Sequence, residues 1–160
     1  MKIKLRNWAI SKLVADRPSI NLNPTWQRGA AWKDPRKILL IDSILRGMDI
    51  PKVYLRKLPA NGVHKHDAVD GQQRIRAIWE FRAGAFSLNY PDPLPVIGAH
   101  SIHGLRFSQL HKSLRDQFDT FQVSVAEITS ADNDKITNLF ARLQLGVALN
   151  PAELRNAMLA

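Results

Sequence analysis

The sequence contains no cysteine. This absence excludes a disulfide framework, a thiolate zinc site and thiol catalysis, and it fits a reducing compartment. Long apolar runs are also absent, since no stretch approaches the roughly 18 apolar residues of a membrane-spanning helix. The first residues, MKIKLRNWAI, lack the apolar core of a secretory signal. We therefore expect a cytoplasmic protein that does not contact a membrane.

Negative charge is scarce. The 160 residues include 23 lysines and arginines but only 14 aspartates and glutamates, which gives a formal net charge of +9. Such a surplus favours a polyanionic partner, either nucleic acid or a nucleotide. The alternative is a basic surface with no specific ligand. The length suits one domain over residues 1–160, which we expect to be the N-terminal part of a longer protein.

The hydrophobic periodicity predicts an α/β fold, with a small mixed sheet flanked by helices. The pattern also predicts three helix caps and a tight hairpin turn. Strands are expected at 52–57, 63–69 and 121–128, and helices at 34–46, 71–82 and 130–143. The expected caps are Asp34, Ser108 and Ser130, the expected turn is Asn61-Gly62, Gly47 is expected to end the first helix, and a further helix is expected to begin at Asn150-Pro151.

The segment Val69-Asp70-Gly71-Gln72-Gln73-Arg74 joins a predicted strand to a predicted helix. The first N–H groups of a helix are unpaired and its dipole is positive at that end, so such junctions suit anions. Gly71 permits close approach of a phosphate, Gln72 and Gln73 offer amides, and Arg74 offers a planar fork. Asp70 is suited to hold a magnesium ion shared with phosphates. The alternative is that Asp70 only caps the helix while the other side chains are solvated.

Two further segments carry candidate ligand contacts. In Asn23-Pro24-Thr25-Trp26-Gln27-Arg28, which is followed by Trp32, Arg28 is suited to contact phosphate and Trp26 or Trp32 to stack on a base. The commoner role of a tryptophan is a core anchor. Arg142 lies about 100° off the apolar stripe of its predicted helix, where it either reaches a site at the edge of the core or is a surface arginine.

The segments "PTWQRGAAW", "VDGQQRIRAI" and "LFARLQLGVALNPAELRNA" together resemble the N-terminal domain of GmrSD-type modification-dependent restriction enzymes. The resemblance covers about residues 18–158. It implies a ParB/sulfiredoxin-like fold that binds and hydrolyses a nucleoside triphosphate and in some cases recognises modified DNA. It places the phosphate site at Asp70 to Arg74, with Gln27 and Arg28 beside it. The peroxide-reducing chemistry of the sulfiredoxin branch is excluded, because that branch needs a cysteine.

From this resemblance we expect a Mg²⁺-dependent NTPase domain of an anti-phage defence protein, with the base of the nucleotide undetermined. Asp70, Gln73 and Arg74 are the predicted catalytic residues, and Asp70 is the predicted metal ligand. Predicted phosphate contacts are Gln27, Arg28, Gly71, Gln72, Gln73, Arg74 and Arg142, and predicted DNA or base contacts are Trp26 and Arg28. No nuclease motif follows Arg155, so a nuclease domain or subunit is an expected partner, together with DNA. The alternatives are a non-hydrolysing sensor that binds modified DNA through the same cleft, and a basic structural interaction module.

Overall fold

The computed structural model describes residues 1–22, 31–60, 62–92 and 95–145. Seven strands and five α-helices lie in these ranges. The strands are β1 Lys2–Ala9, β2 Ile20–Asn21, β3 Val53–Lys57, β4 His66–Asp70, β5 Val96–Ile97, β6 His100–Ser101 and β7 Gln122–Thr129. The helices are α1 Ile10–Ala15, α2 Asp34–Leu45, α3 Gln72–Arg82, α4 Lys112–Thr120 and α5 Asn133–Gln144.

Five strands form one mixed sheet in the order β1-β7-β3-β4-β2. β7 lies antiparallel to β1 and parallel to β3, while β4 lies antiparallel to β3 and parallel to β2. The late strand β7 therefore lies between the first strand and β3, which ties the two ends of the described chain together. The predicted α/β class with a small mixed sheet and flanking helices is confirmed.

The sheet is covered on both faces, because its strands alternate. Val123 and Val125 of β7 belong to the larger apolar core, which includes residues of α1 to α4. Ala126 and Ile128 belong to a second core, which packs against α5. A fully buried aliphatic side chain stabilises the fold by about 1.5–3 kcal/mol, so both layers contribute to stability.

The predicted helices α2, α3 and α5 and strands β3, β4 and β7 are present, with shifted ends. Gly47 follows α2 with φ of 70°, as predicted for a left-handed helix end. The N-terminal caps differ from prediction. α2 has Lys33 at its cap position and no side-chain cap, because Asp34 is already helical. α5 is capped by Asp132, which accepts from the Lys135 N–H at 2.9 Å, and Ser130 instead adopts a positive φ of 58°.

One other prediction about the loops is wrong. α4 is capped by His111 rather than Ser108, which lies in a short 3-10 turn at Phe107–Gln109. β3 and β4 pair from Lys57 and His66, so β4 begins later than the predicted strand at 63–69. The predicted Asn61-Gly62 turn includes Asn61, which lies outside the described residues. β1 and α1 had no counterpart in the prediction. The predicted helix after Asn150 lies outside the described residues.

Candidate phosphate site at the β4–α3 junction

Gly71 links β4 to α3 and adopts a left-handed conformation with φ of 94°. A Cβ atom at this position would lie 2.5 Å from Cγ1 of Val53 and 3.1 Å from an Nη of Arg74. The left-handed backbone and the close approach of β3 each favour glycine. The fold itself therefore favours glycine at position 71. This reason is separate from the close approach of phosphate that the sequence suggested.

Asp70 and Arg74 form an ion pair at the start of α3. Arg74 Nη2 lies 3.4 Å from Asp70 Oδ2, and the same nitrogen donates to the Lys52 carbonyl at 2.9 Å. Their side chains are only 15% and 24% exposed for Arg74 and Asp70 respectively. Both groups are thus held against β3, and the alternative in which Arg74 is solvated on the first turn is wrong.

The Arg74 guanidinium carries an unpaired donor. Its Nε is buried and has no hydrogen-bond partner within the described part of the protein. A buried donor without a partner costs about 1–3 kcal/mol. An acceptor such as a phosphate oxygen would remove that cost.

Among the described residues, no side chain caps α3. The cap position is Gly71, so Asp70 does not act as the cap that the alternative interpretation required. The first helical N–H groups have no acceptor within the helix itself. The positive end of α3 consequently lies beside a carboxylate and a guanidinium with one unsatisfied donor.

The two glutamines point to different neighbours. Gln72 Nε2 makes long contacts of 3.4 Å to the Ala68 and Val69 carbonyls. Gln73 Oε1 accepts a hydrogen bond from the Trp32 N–H at 3.1 Å. Gln73 therefore connects α3 to the segment that follows the predicted Gln27-Arg28 pair. Trp26, Gln27 and Arg28 themselves lie outside the described residues.

Tyr54 lies beside Asp70 at the site, and no motif in the sequence pointed to it. It is the cross-strand partner of Asp70 in the β3–β4 ladder and is only 4% exposed. Burial, and then the nearby Asp70 charge, raise the pKa of Tyr54, while Arg74 opposes the shift. A neutral phenol therefore lies beside the ion pair. The only signal in the sequence was its position between Val53 and Leu55, which places it on the opposite face of β3.

Arg142 is exposed in the last turn of α5. Ile136 and Leu139 of the same helix belong to one apolar core with Tyr54 and Val69, so α5 covers the sheet beside the junction. Arg142 makes no hydrogen bond to Asp70 in the described part of the protein. Its predicted contact with phosphate stays a prediction.

The β4–α3 junction fits Mg²⁺ only where a bound nucleotide supplies some of the ligands of the ion. No group of three or more histidine or acidic side chains arranged to hold a metal occurs in the described ranges. Mg²⁺ at phosphate sites often uses one or two carboxylates and takes its other ligands from phosphate and water. Asp70 is the carboxylate in position for that role.

The fold and junction define a small mixed α/β domain with an uncapped, glycine-led helix start. The family model for the GmrSD restriction endonuclease N-terminal domain matches residues 10–160, and the chain belongs to this family of restriction-type defence proteins. The match confirms the resemblance and begins nearer the N-terminus than the expected residue 18. No curated protein and no solved structure matches the chain. No helix in the described ranges has the length and apolar composition needed to cross a membrane.

Proposed function

We propose that the β4–α3 junction binds a nucleoside triphosphate with Mg²⁺ and hydrolyses it, within a DNA-directed restriction protein. The observation that carries this proposal is the Arg74 guanidinium, whose buried Nε lacks an acceptor beside an uncapped helix start. A phosphate oxygen supplies that acceptor and is also favoured by the helix dipole.

Each residue of the junction has a separate role in this proposal. The N–H groups of Gly71 and Gln72 and the Arg74 fork bind phosphate oxygens. Gln73 contributes its amide to the reacting end of the nucleotide. Asp70 holds Mg²⁺, which offsets the charge of the phosphates when bound.

Three residues outside the described ranges complete the proposed site. Gln27 and Arg28 would add phosphate contacts, and Trp26 a base contact. Support comes from the hydrogen bond between Gln73 and the Trp32 N–H, which brings the chain to within a few residues of Arg28. Arg142, at the end of α5, is proposed as a further phosphate contact.

A second candidate function is a sensor that binds modified DNA at the same cleft without turnover. The formal charge of +9 favours DNA as a partner in both cases. In either case, the restriction family suggests a nuclease domain or subunit as the effector.

Phosphate release distinguishes the two candidates. The purified protein is incubated with each common nucleoside triphosphate, with Mg²⁺ or with a chelator, and with or without DNA. Mg²⁺-dependent release is the expected result. DNA binding without release under any condition would favour the sensor and contradict hydrolysis.

A further inference from the structure

Four exposed lysines meet at one end of the five-stranded sheet. Lys2 and Lys4 belong to β1, Lys57 is the last residue of β3, and Lys65 directly precedes β4. The strand directions bring them together, because the N-terminal ends of β1 and β4 lie beside the C-terminal ends of β3 and β7. We call these four residues the lysine strip. The nucleotide site lies at the other end of β4, so the two features are separate.

Three of the lysines also share one face of the sheet. Lys4 lies directly opposite Glu127 of β7, and Lys57 lies two positions beyond Leu55, which pairs with Glu127 from the other side. Side chains alternate along a strand, so Lys2, Lys4 and Lys57 lie on the same face as Glu127. β3 and β1 are two strand spacings apart, about 10 Å. A single polyanion can therefore contact lysines from both strands.

The carboxylate on this face is already occupied. Glu127 accepts from Arg6 at 3.2 Å and contacts His66 at 2.9 Å. None of the four lysines of the strip forms an ion pair within the described ranges. Their charges thus remain available to a partner.

The other acidic residues at this end of the sheet belong to different surroundings. Asp67 of β4 is buried and accepts from Asn21 at 3.0 Å. Asp132 and Asp134 lie at the start of α5, which packs on the opposite face of the sheet. The face that carries the lysines therefore has a surplus of positive charge, for which a polyanion is the matching partner.

Protection of a sheet edge explains only part of the strip. Lysines on an edge strand discourage pairing with another chain, and β1 is an edge strand. This role accounts for Lys2 and Lys4. Lys57 belongs to β3, which lies inside the sheet between β7 and β4, and Lys65 lies in the connection before β4. These two lysines need another explanation.

The chemistry of the strip suits phosphate groups and not bases. Trp8, the tryptophan of β1, is 7% exposed, and Lys12 Nζ lies 4.6 Å from the centre of its ring, so it offers no open face to a base. A lysine ammonium binds phosphate as a flexible point charge. Contacts to phosphate position a protein on DNA without reading its sequence. A DNA duplex, which carries its phosphates on the outside, is the polyanion that fits best.

We propose that the lysine strip binds the backbone phosphates of duplex DNA, independently of base sequence. The proposal rests on the DNA-directed part of the proposed function. It does not depend on nucleotide hydrolysis, because no residue of the strip belongs to the β4–α3 junction.

The test compares two charge-matched double variants. Lys4→Gln with Lys57→Gln removes two positive charges from the strip, and Arg106→Gln with Lys112→Gln removes two from exposed positions before and in α4. Affinity for a labelled, unmodified DNA duplex is measured by fluorescence anisotropy over a series of salt concentrations. The strip variant should bind roughly tenfold more weakly at low salt, and its slope of log affinity against log salt should fall by about two, roughly one for each phosphate contact. The control should change both much less.

A charge-preserving variant separates binding from folding. Lys4→Arg with Lys57→Arg keeps both cations and should retain the affinity and the salt slope of the parent. Melting temperatures and the monomer fraction of all variants are recorded, because Lys4 also protects the edge of the sheet. Loss of DNA binding in the glutamine variant, at an unchanged melting temperature and monomer fraction, supports the proposal.

Three results would overturn the proposal. A parent protein that binds no DNA at low salt would remove the partner, and equal losses in the strip and control variants would place the DNA elsewhere. Binding of a labelled polyglutamate peptide as tightly as the duplex, lost in the strip variant alone, would assign the strip to an acidic protein. Phosphate release is measured on the same samples. Release without DNA binding would contradict the strip alone, and DNA binding through the strip without release would contradict hydrolysis alone.

Discussion

Two strand-to-helix junctions of this protein differ in how their helices begin. The β7–α5 junction has a positive φ at Ser130, and Asp132 then caps the helix. The β4–α3 junction has a positive φ at Gly71 and no side-chain cap. A side chain caps the helix terminus at the first junction, whereas none among the described residues caps it at the second.

The two junctions also differ in how their arginines are hydrogen-bonded. Arg56 binds the first junction from β3, donating to Asn133 Oδ1 at 2.6 Å and to the Ala131 carbonyl at 2.8 Å. Arg74 contacts Asp70 and the Lys52 carbonyl, yet its Nε has no partner. We interpret the β7–α5 junction as structural and the β4–α3 junction as a binding site.

The largest expected effect is on stability, from Gly71→Ala. The new Cβ would overlap Val53, which costs about 1–3 kcal/mol, and a left-handed alanine adds roughly 1–2 kcal/mol. The free energy of unfolding in urea should therefore fall by about 2–5 kcal/mol. Gly84→Ala is the matched control, because Gly84 has φ of 77° but no atom within 4 Å of its added Cβ. Equal losses in the two variants would contradict the close approach of β3.

A smaller effect on stability should distinguish Asp132, at the β7–α5 junction, from Asp70, at the β4–α3 junction. Asp132→Ala removes a helix cap and should lower the free energy of unfolding by about 0.5–2 kcal/mol. Asp132→Asn keeps a capping side chain and should cost little. Asp70→Asn should also cost less than Asp132→Ala, since Asp70 does not cap α3. If Asp70→Asn destabilises the protein as much as Asp132→Ala, the two junctions do not differ in the way described.

The last expected effect is a pH dependence of the free energy of unfolding. It depends on Glu127 of β7, which belongs to neither junction. Burial of Glu127 opposes its ionisation, but the hydrogen bond and charge of His66, together with Arg6, lower the pKa of Glu127 below its ordinary value of 4.5. The contacts are 2.9 Å to His66 and 3.2 Å to Arg6. A lowered folded-state pKa gives stability that is present above the ordinary value and is lost as pH falls through the folded value.

Unfolding in urea between about pH 6 and about pH 3 tests this pH dependence. Glu127→Gln should reduce the loss of stability on acidification relative to the parent. Asp132→Asn should show the same acid-induced loss as the parent. An unchanged pH profile in Glu127→Gln would place the acid-sensitive group elsewhere.

The sequence predicted the elements around the site because their signals are local. Helical spacing marked α2 and α3, alternation marked β7, and Gly71 marked the turn between β4 and α3. β1 has a weak signal, since it is an edge strand whose Leu5 is 58% exposed and whose pairing depends on the distant β7. An edge strand of this kind carries little of the buried alternation that identifies a strand.

The details of the site depended on contacts that no local pattern encodes. Tyr54 reaches Asp70 through the register of two strands, and Gln73 reaches Trp32 across forty-one positions. Local capping rules also favoured Ser130, although Asp132 lies at the position whose carboxylate reaches the Lys135 N–H. The sequence therefore identified the chemical groups, and tertiary structure determined their partners.

Mg²⁺-dependent phosphate release by Asp70→Asn tests whether the β4–α3 junction is the catalytic site, with Asp132→Asn as the matched control at the structural junction. Asp70→Asn should remain folded and lose release, because it removes the proposed Mg²⁺ ligand, whereas Asp132→Asn should turn over like the parent. Arg74→Ala should bind nucleotide about tenfold to hundredfold more weakly, as expected for a lost charge-assisted hydrogen bond worth about 1.5–3 kcal/mol. If Asp70→Asn and Arg74→Ala both hydrolyse nucleotide like the parent, the β4–α3 junction is not the catalytic site.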